Sequence, residues 1–230
     1  MTQSNEFGQP IGAPVAGTFP RPRPLHQDMR GQYCSLVPVS PDHAEALMDA
    51  FAKDPEGRNW TYLLLPQFPD VGACLTWLAS VEASTDPLYF TVLDQSGCAV
   101  GWASYLRIDP QSGSIEVGWI NFAPSLQGTR ASTEAMFLMM AHAFDDLGYR
   151  RYEWKCDDLN APSRRAALRL GFTYEGTFRQ ATHYKGRNRD TAWHAILDGD
   201  WPSARAEFER WLDPGNFDAD GQQKTPLRIG

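Results

Sequence analysis

The stretch from Ser114 to Cys156 constrains the fold more than any other part of the chain. Ser114 to Phe122 reads as an apolar strand, Thr129 to Leu147 as a long apolar-faced helix stopped by Gly148, and Arg151 to Cys156 as a second strand. A helical crossover of this size leaves its two strands parallel when they lie side by side. Upstream, the strands Leu88 to Leu93, Ala99 to Ile108 and Ser114 to Phe122 are separated only by Asp-Gln-Ser-Gly and Asp-Pro-Gln-Ser-Gly turns. Turns this short imply an antiparallel meander. The fold class is therefore α/β (α+β), with a mixed, mostly antiparallel sheet.

Other elements complete that frame. Tyr33 to Val39 reads as a strand, Pro41 to Lys53 as a helix capped by Ser40, and Asp70 to Ala83 as a helix with Val71, Cys74, Leu75 and Leu78 on one face. Pro162 to Leu170 is a short helix closed by Gly171. Phe172 to Tyr184 and Thr191 to Leu197 pair across a Lys185-Gly-Arg-Asn turn, and Pro202 to Leu212 is a final helix. Five of the 17 prolines fall within residues 1–24, which have no helical or alternating pattern. The 230 residues, at roughly 150 per domain, thus divide into a Pro-rich tail (1–29), one domain (30–212) and a loose C-terminal tail (213–230).

Charge and cysteine usage narrow the partners. There are 21 basic and 28 acidic residues, a net charge of −7, which argues against nucleic acid and favours cationic small molecules or basic peptides. Cys34, Cys74, Cys98 and Cys156 have neither C-x-x-C nor ligand spacing, so reduced thiols and no metal are expected. The longest apolar run, Ala135 to Ala141, is seven residues, against about 20 for a membrane span. The N-terminal hexapeptide lacks the basic start and apolar region of a secretory signal, so a cytoplasmic location is expected. Nothing in the pattern fixes an oligomeric state, a homodimer included.

The segment Leu126-Gln-Gly-Thr-Arg-Ala-Ser-Thr-Glu-Ala135 carries a glycine turn from a strand into a long helix. A helix start leaves about four backbone N–H groups unpaired and partly positive, which suits a phosphate. No capping box follows Ser125, so those donors are not obviously consumed. An ordinary strand-to-helix turn explains the glycine equally well. Asn160 is a natural N-cap, and Ser163 stands in the first turn of the same helix. Glu116 interrupts an apolar strand, where desolvation would raise its pKa and make it a base for an ammonium substrate. A structural ion pair or a solvent-facing position is the other reading. His183 and Tyr184 could line an acceptor pocket or serve only as cross-strand contacts. Asn216-Phe-Asp-Ala-Asp-Gly221 imitates half a calcium loop but has Leu227 at the twelfth position, so calcium is not expected.

Thr133-Glu-Ala135, Asn160-Ala-Pro-Ser163 and Leu170-Gly-Phe-Thr-Tyr-Glu-Gly-Thr-Phe-Arg179 stand in the order and spacing of GCN5-related N-acetyltransferases. The resemblance covers about residues 30 to 200, and the chain is similar to the branch acting on protein N-termini of ribosomal alanine type. It implies acetyl-coenzyme A as donor, a sheet splayed between its two parallel strands, helices on both faces, and direct acetyl transfer to a primary amine, either a peptide N-terminus or a small molecule. It further implies that Gln127, Gly128, Thr129, Arg130, Ala131, Ser132 and Thr133 wrap the pyrophosphate. Phe122 and Asn160 would contact the rest of the coenzyme, with Ser163 near the thiol and Glu116 and Ser163 catalytic. Two departures stand out: Arg130 replaces a second glycine, and the stretch from Glu116 to Pro124 is one residue longer than usual, which a bulge would absorb. These departures also support a rival function, a catalytically silent acyl-coenzyme A sensor or interaction module.

Overall fold

A computed structural model describes residues 3–229. Strands β1 (Gln3–Ser4) and β2 (Pro10–Ile11) pair in an N-terminal arm. The main sheet contains β3 (Met29–Arg30), β4 (Cys34–Pro38), β5 (Leu88–Asp94), β6 (Ala99–Asp109), β7 (Ser114–Phe122), β8 (Arg151–Asp157), β9 (Thr173–Tyr184) and β10 (Arg187–Leu197). Its order is β3-β4-β5-β6-β7-β8-β10-β9, and every neighbouring pair is antiparallel except β7 with β8. The helices are α1 (Ala44–Phe51), α2 (Val71–Val81), α3 (Arg130–Ala141), α4 (Ala161–Arg169) and α5 (Trp201–Leu212).

Side-chain alternation divides the core in two. Leu88, Phe90 and Val92 of β5 pack beneath α3 and α5 with Met139, Met140 and Phe208, whereas Tyr89 faces α1 and α2. On the latter side Trp102 is fully buried, with the rings of Trp77, Phe51 and Trp60 centred 4.8, 5.0 and 5.8 Å away. Such aromatic pairs add about 0.5–1.5 kcal/mol each beyond their burial. Helices thus cover both faces, as expected.

Short-range chemistry sets the helix starts. Asp70 caps α2 by accepting from the Ala73 amide at 2.8 Å. Ser40 accepts from the Asp42 amide while His43 Nδ1 accepts from the Ser40 amide, so the expected Pro41 to Lys53 helix begins as a tight turn, Pro41–His43, before α1. The expected Thr129 to Leu147 helix likewise changes form: α3 ends at Ala141, and His142–Asp146 widens into a π-turn closed by Leu147 N–H donating to His142 O.

One buried carboxylate ties α3 to the sheet. Glu134 accepts from the backbone amides of Gln32, Tyr33 and Cys34 at 2.7, 2.6 and 2.8 Å. A Cβ at Gly31 would collide with that carboxylate. The glycine therefore allows the turn between β3 and β4 to wrap around it.

The site is created by the parallel pair. Register partners run only from Ser114 and Arg151 to Val117 and Trp154, although β7 continues to Phe122 and β8 to Asp157. Beyond Val117 the strands part. In the same stretch β7 has an extra residue against β6, since Trp102 pairs with Asn121 but Ser104 with Gly118, and Trp119 takes φ +51°. The bulge reverses the alternation: Ile115 and Val117 face the core under α3, and after it Ile120 and Phe122 do so.

The N-terminal tail lies along the domain, and the C-terminal segment, read as a loose tail, folds back onto it. The N-terminal arm forms the β1–β2 hairpin, the Arg21 amide donates to Pro110 O, and Met29 is buried in the main core. After Asp213 the chain folds back, burying Phe217 and Leu227 and placing Ile229 beside Gly171. Their few apolar anchors contact residues far away in sequence, so no local periodicity announces them. Among the described residues, no helix is long and apolar enough to cross a membrane.

Candidate active site

A cavity of about 980 Å³ opens where β7 and β8 part, walled by the turn into α3. Phe122, Gln127, Gly128, Thr129, Arg130, Ser132 and Thr133 all line it, as does Asn160. Thr129 is the observed N-cap, its hydroxyl accepting from the Ser132 amide at 3.2 Å, so one donor of the helix start is consumed internally. The amides of Gly128, Arg130 and Ala131 have no protein acceptor among the described residues. Ala131 itself is not brought to the cavity wall: it packs toward the core, and its carbonyl accepts from the Cys34 thiol. Gln127 braces the turn, donating to Phe122 O at 2.8 Å and Asn59 Oδ1 at 2.9 Å.

Gly128 has φ +70°, and a Cβ built there meets nothing within 4 Å. Gly128→Val should therefore fold, with about 1–2 kcal/mol of left-handed strain, while its side chain obstructs approach to the free amides. Acetyl-coenzyme A affinity measured by calorimetry should fall at least about tenfold. Unchanged affinity in the folded variant would place the phosphates elsewhere.

A smaller cavity of about 200 Å³ adjoins the first. Glu116 lines it, only 5% exposed, with Lys155 Nζ 2.9 Å and Arg107 Nε 3.3 Å from Oε2. Burial pushes the Glu116 carboxyl above its usual range, with Lys155 and Arg107 opposing that rise. Lys155 is shared with Glu153 at 2.7 Å and lies over the Trp193 ring at 3.7 Å. Glu116 thus takes part in a structural ion pair and also faces a cavity.

Ser163 stands where the two cavities meet, as do Asn160 and Trp154. Asn160 caps α4 by accepting from the Ser163 amide at 3.2 Å, so capping and cavity lining coexist there too. Trp154 Nε1 donates to Ser163 Oγ at 3.0 Å. With its oxygen so engaged, the serine hydroxyl has its own proton to donate. Burial raises the thiol of neighbouring Cys156, which disfavours the nucleophilic thiolate, and Ser163 opposes that rise.

The expected acceptor-side pair is split. Tyr184 donates to Asp157 Oδ2 at 2.8 Å, next to the smaller cavity but outside its wall. His183 is exposed in the hairpin opposite Asn188. Sequence reasoning missed Lys155 and Arg107. Lys155 was detectable through Arg151, Glu153 and Lys155, which alternate along one strand face. Arg107 reaches Glu116 because it adopts φ +47° beside a register shift, for which its sequence has no signal. Among the described residues, no cluster of three or more His, Cys, Asp or Glu side chains could hold a metal.

The architecture is an α/β fold with a mixed sheet parted at its parallel pair, a helix start with free amides on one side of the gap and a buried carboxylate on the other. The acetyltransferase (GNAT) domain family matches residues 35–173, well over half of the chain, and the chain belongs to that family. A GCN5-related N-acetyltransferase from Brucella melitensis is 43% identical, with a TM-score of 0.89 over 91% of this chain and 96% of that one. A GNAT-family structure from Chromobacterium violaceum is 40% identical, with a TM-score of 0.76 over 84% and 98% of the two chains. The ribosomal-protein-serine acetyltransferase of Escherichia coli (strain K12) is 34% identical over 83 residues, 36% of this chain. The chain spans about half the length of the curated relatives it matches, 45% and 57%.

Proposed function

We propose that this protein transfers an acetyl group from acetyl-coenzyme A to a primary amine, with a protein or peptide N-terminus as the favoured acceptor and small amines as the other class. The observation that carries this reading is the meeting of two cavities at Ser163, one bordered by free helix-start amides and the other by Glu116. The similarity to a ribosomal-protein-serine acetyltransferase supports a protein acceptor. Acetyl-coenzyme A supplies the activated acetyl group. The amine nitrogen attacks the thioester carbonyl, the C–N bond forms and the C–S bond breaks, with the electron pair leaving on sulfur. Glu116 takes the proton that the attacking nitrogen gives up, and Ser163 hydrogen-bonds to the departing sulfur. The test is incubation with acetyl-coenzyme A and a panel of peptides and amines, following thiol release and product mass. Release without an acetylated product would defeat the reading.

Ser163→Ala removes one donor aimed at developing charge. Loss of such a donor costs at most about 2.7–4 kcal/mol, so the single-turnover rate at saturating donor should fall roughly tenfold to a thousandfold, least if water substitutes. Donor affinity should barely change, because the bond strengthens as charge develops. A weaker donor Kd with an unchanged chemical step would make Ser163 a binding or capping residue only.

A second reading, a catalytically silent acyl-coenzyme A sensor, is favoured by one observation: the Glu116 carboxylate is already paired with two cations, both at its Oε2. Coenzyme binding with no turnover across the whole panel would select it.

A further inference from the structure

The larger cavity has a wall that the family match does not reach. Trp211, Phe217, Gln222 and Gln223 line it, all beyond residue 173, where that match ends. This segment is tightly built. Trp211 Nε1 donates to Gln223 Oε1 at 2.8 Å, Phe217 bridges to Gln223, and Asp218 Oδ1 accepts from the amides of Asp220 and Gln222. It also seats two guanidinium groups. Arg130 lies between the rings of Tyr33 and Phe217, at 4.9 and 4.5 Å, and Arg169 lies over the Trp211 ring at 5.0 Å.

Charge supplies the second line of argument. Among the described residues, three arginines and no carboxylate line this cavity. Arg58 is paired with Glu56, but Arg130 and Arg169 have no carboxylate partner among the described residues. Stacking fixes the plane of a guanidinium and leaves its edge N–H groups free, the geometry that grips a phosphate. Arg169 uses one of its groups on Thr133 Oγ1 at 3.1 Å, which holds it beside the turn at the start of α3. Gly221, at φ +75°, turns the segment beside the Arg130 guanidinium, where a Cβ would make only an ordinary contact, 3.7 Å from Nη2.

We propose that residues 211–223 form the nucleotide end of the donor site, and that Arg130 and Arg169, held by Phe217 and Trp211, bind the 3′-phosphate of the coenzyme's adenosine. The inference rests on the acetyl-coenzyme A reading given above. The free amides of the turn suit the pyrophosphate, and the two arginines extend the anion-binding surface from that turn to the C-terminal segment. In this arrangement Arg130, standing where the family has a glycine, contributes its side chain instead of backbone freedom.

The experiment is calorimetric titration of coenzyme A and 3′-dephospho-coenzyme A, with no turnover required. The wild type should prefer coenzyme A by about tenfold to a hundredfold, as two guanidinium contacts to one phosphate imply. Arg130→Gln and Arg169→Gln should each erode that preference while leaving the affinity for the dephospho form nearly unchanged. Phe217→Leu, which keeps apolar volume but removes the ring face, should do the same with a near-native melting temperature. A wild type indifferent to the 3′-phosphate, or variants that weaken both ligands equally, would overturn the inference and leave the donor assignment intact. A wild type that binds neither ligand would overturn both.

Discussion

Glu116→Gln is expected to lower the acetylation rate by about two to four orders of magnitude, with donor affinity unchanged. Glutamine keeps the size and one oxygen but cannot take a proton from the attacking amine. The wild-type carboxyl is held above its usual range by burial, against the opposing pull of Lys155 and Arg107. Its basic form is therefore present at high pH and lost as pH falls through that raised value. The acid limb of the kcat/KM profile should accordingly lie above the ordinary glutamate range in the wild type, and in the variant only the rise set by the amine's own ionisation should remain. The residual rate should climb with pH as the amine sheds its proton unaided, so the defect is largest in mild acid. Steady-state profiles of the two proteins on one peptide decide the matter, and a near-normal variant rate below pH 7 would reduce Glu116 to a partner of Lys155.

The second large effect concerns stability. Glu134→Ala should destabilise the fold by roughly 3–5 kcal/mol, because it removes a charged acceptor that serves three backbone amides. Gln32 is exposed enough for water to replace the carboxylate, but Tyr33 and Cys34 are buried and their amides would be left unpaired. Glu134→Gln retains one acceptor oxygen and should fall between. Urea denaturation of the three proteins measures the differences, and a loss below about 1 kcal/mol for the alanine variant would mean that the turn finds other partners.

Legibility followed the range of the interactions. The crossover from Ser114 to Cys156, the meander before it and the caps at Asn160 and Ser40 were readable because period and capping are local. The glycine turn at 126–135 was readable as a helix start with free amides because those donors belong to the local backbone. Glu116 was visible as an anomaly in an apolar strand, but its pairings were not: Arg107 depends on an irregular backbone angle, and Lys155, detectable on its own strand face, meets Glu116 only through the register between β7 and β8. The wall at Trp211 and Phe217 escaped notice for a related reason. Its aromatic rings hold arginines about forty to ninety residues away, contacts that leave no pattern in a local window of sequence.

The bulge at Trp119 makes the length of β7 a functional quantity in its own right. Because the alternation reverses there, the half-strand that carries Glu116 and the half-strand that carries Phe122 are each in phase with their own surroundings, and neither phase dictates the other. A single-residue deletion between Gly118 and Asn121 would restore one uninterrupted phase along the strand. Either the carboxylate or the aromatic ring would then be turned to the wrong face, although every remaining residue is unchanged. Point substitutions in this segment can be graded, but a change of register cannot. Tolerance to insertion and deletion in this protein should accordingly reach its minimum at a strand midpoint beside the site, not in the hydrophobic interior.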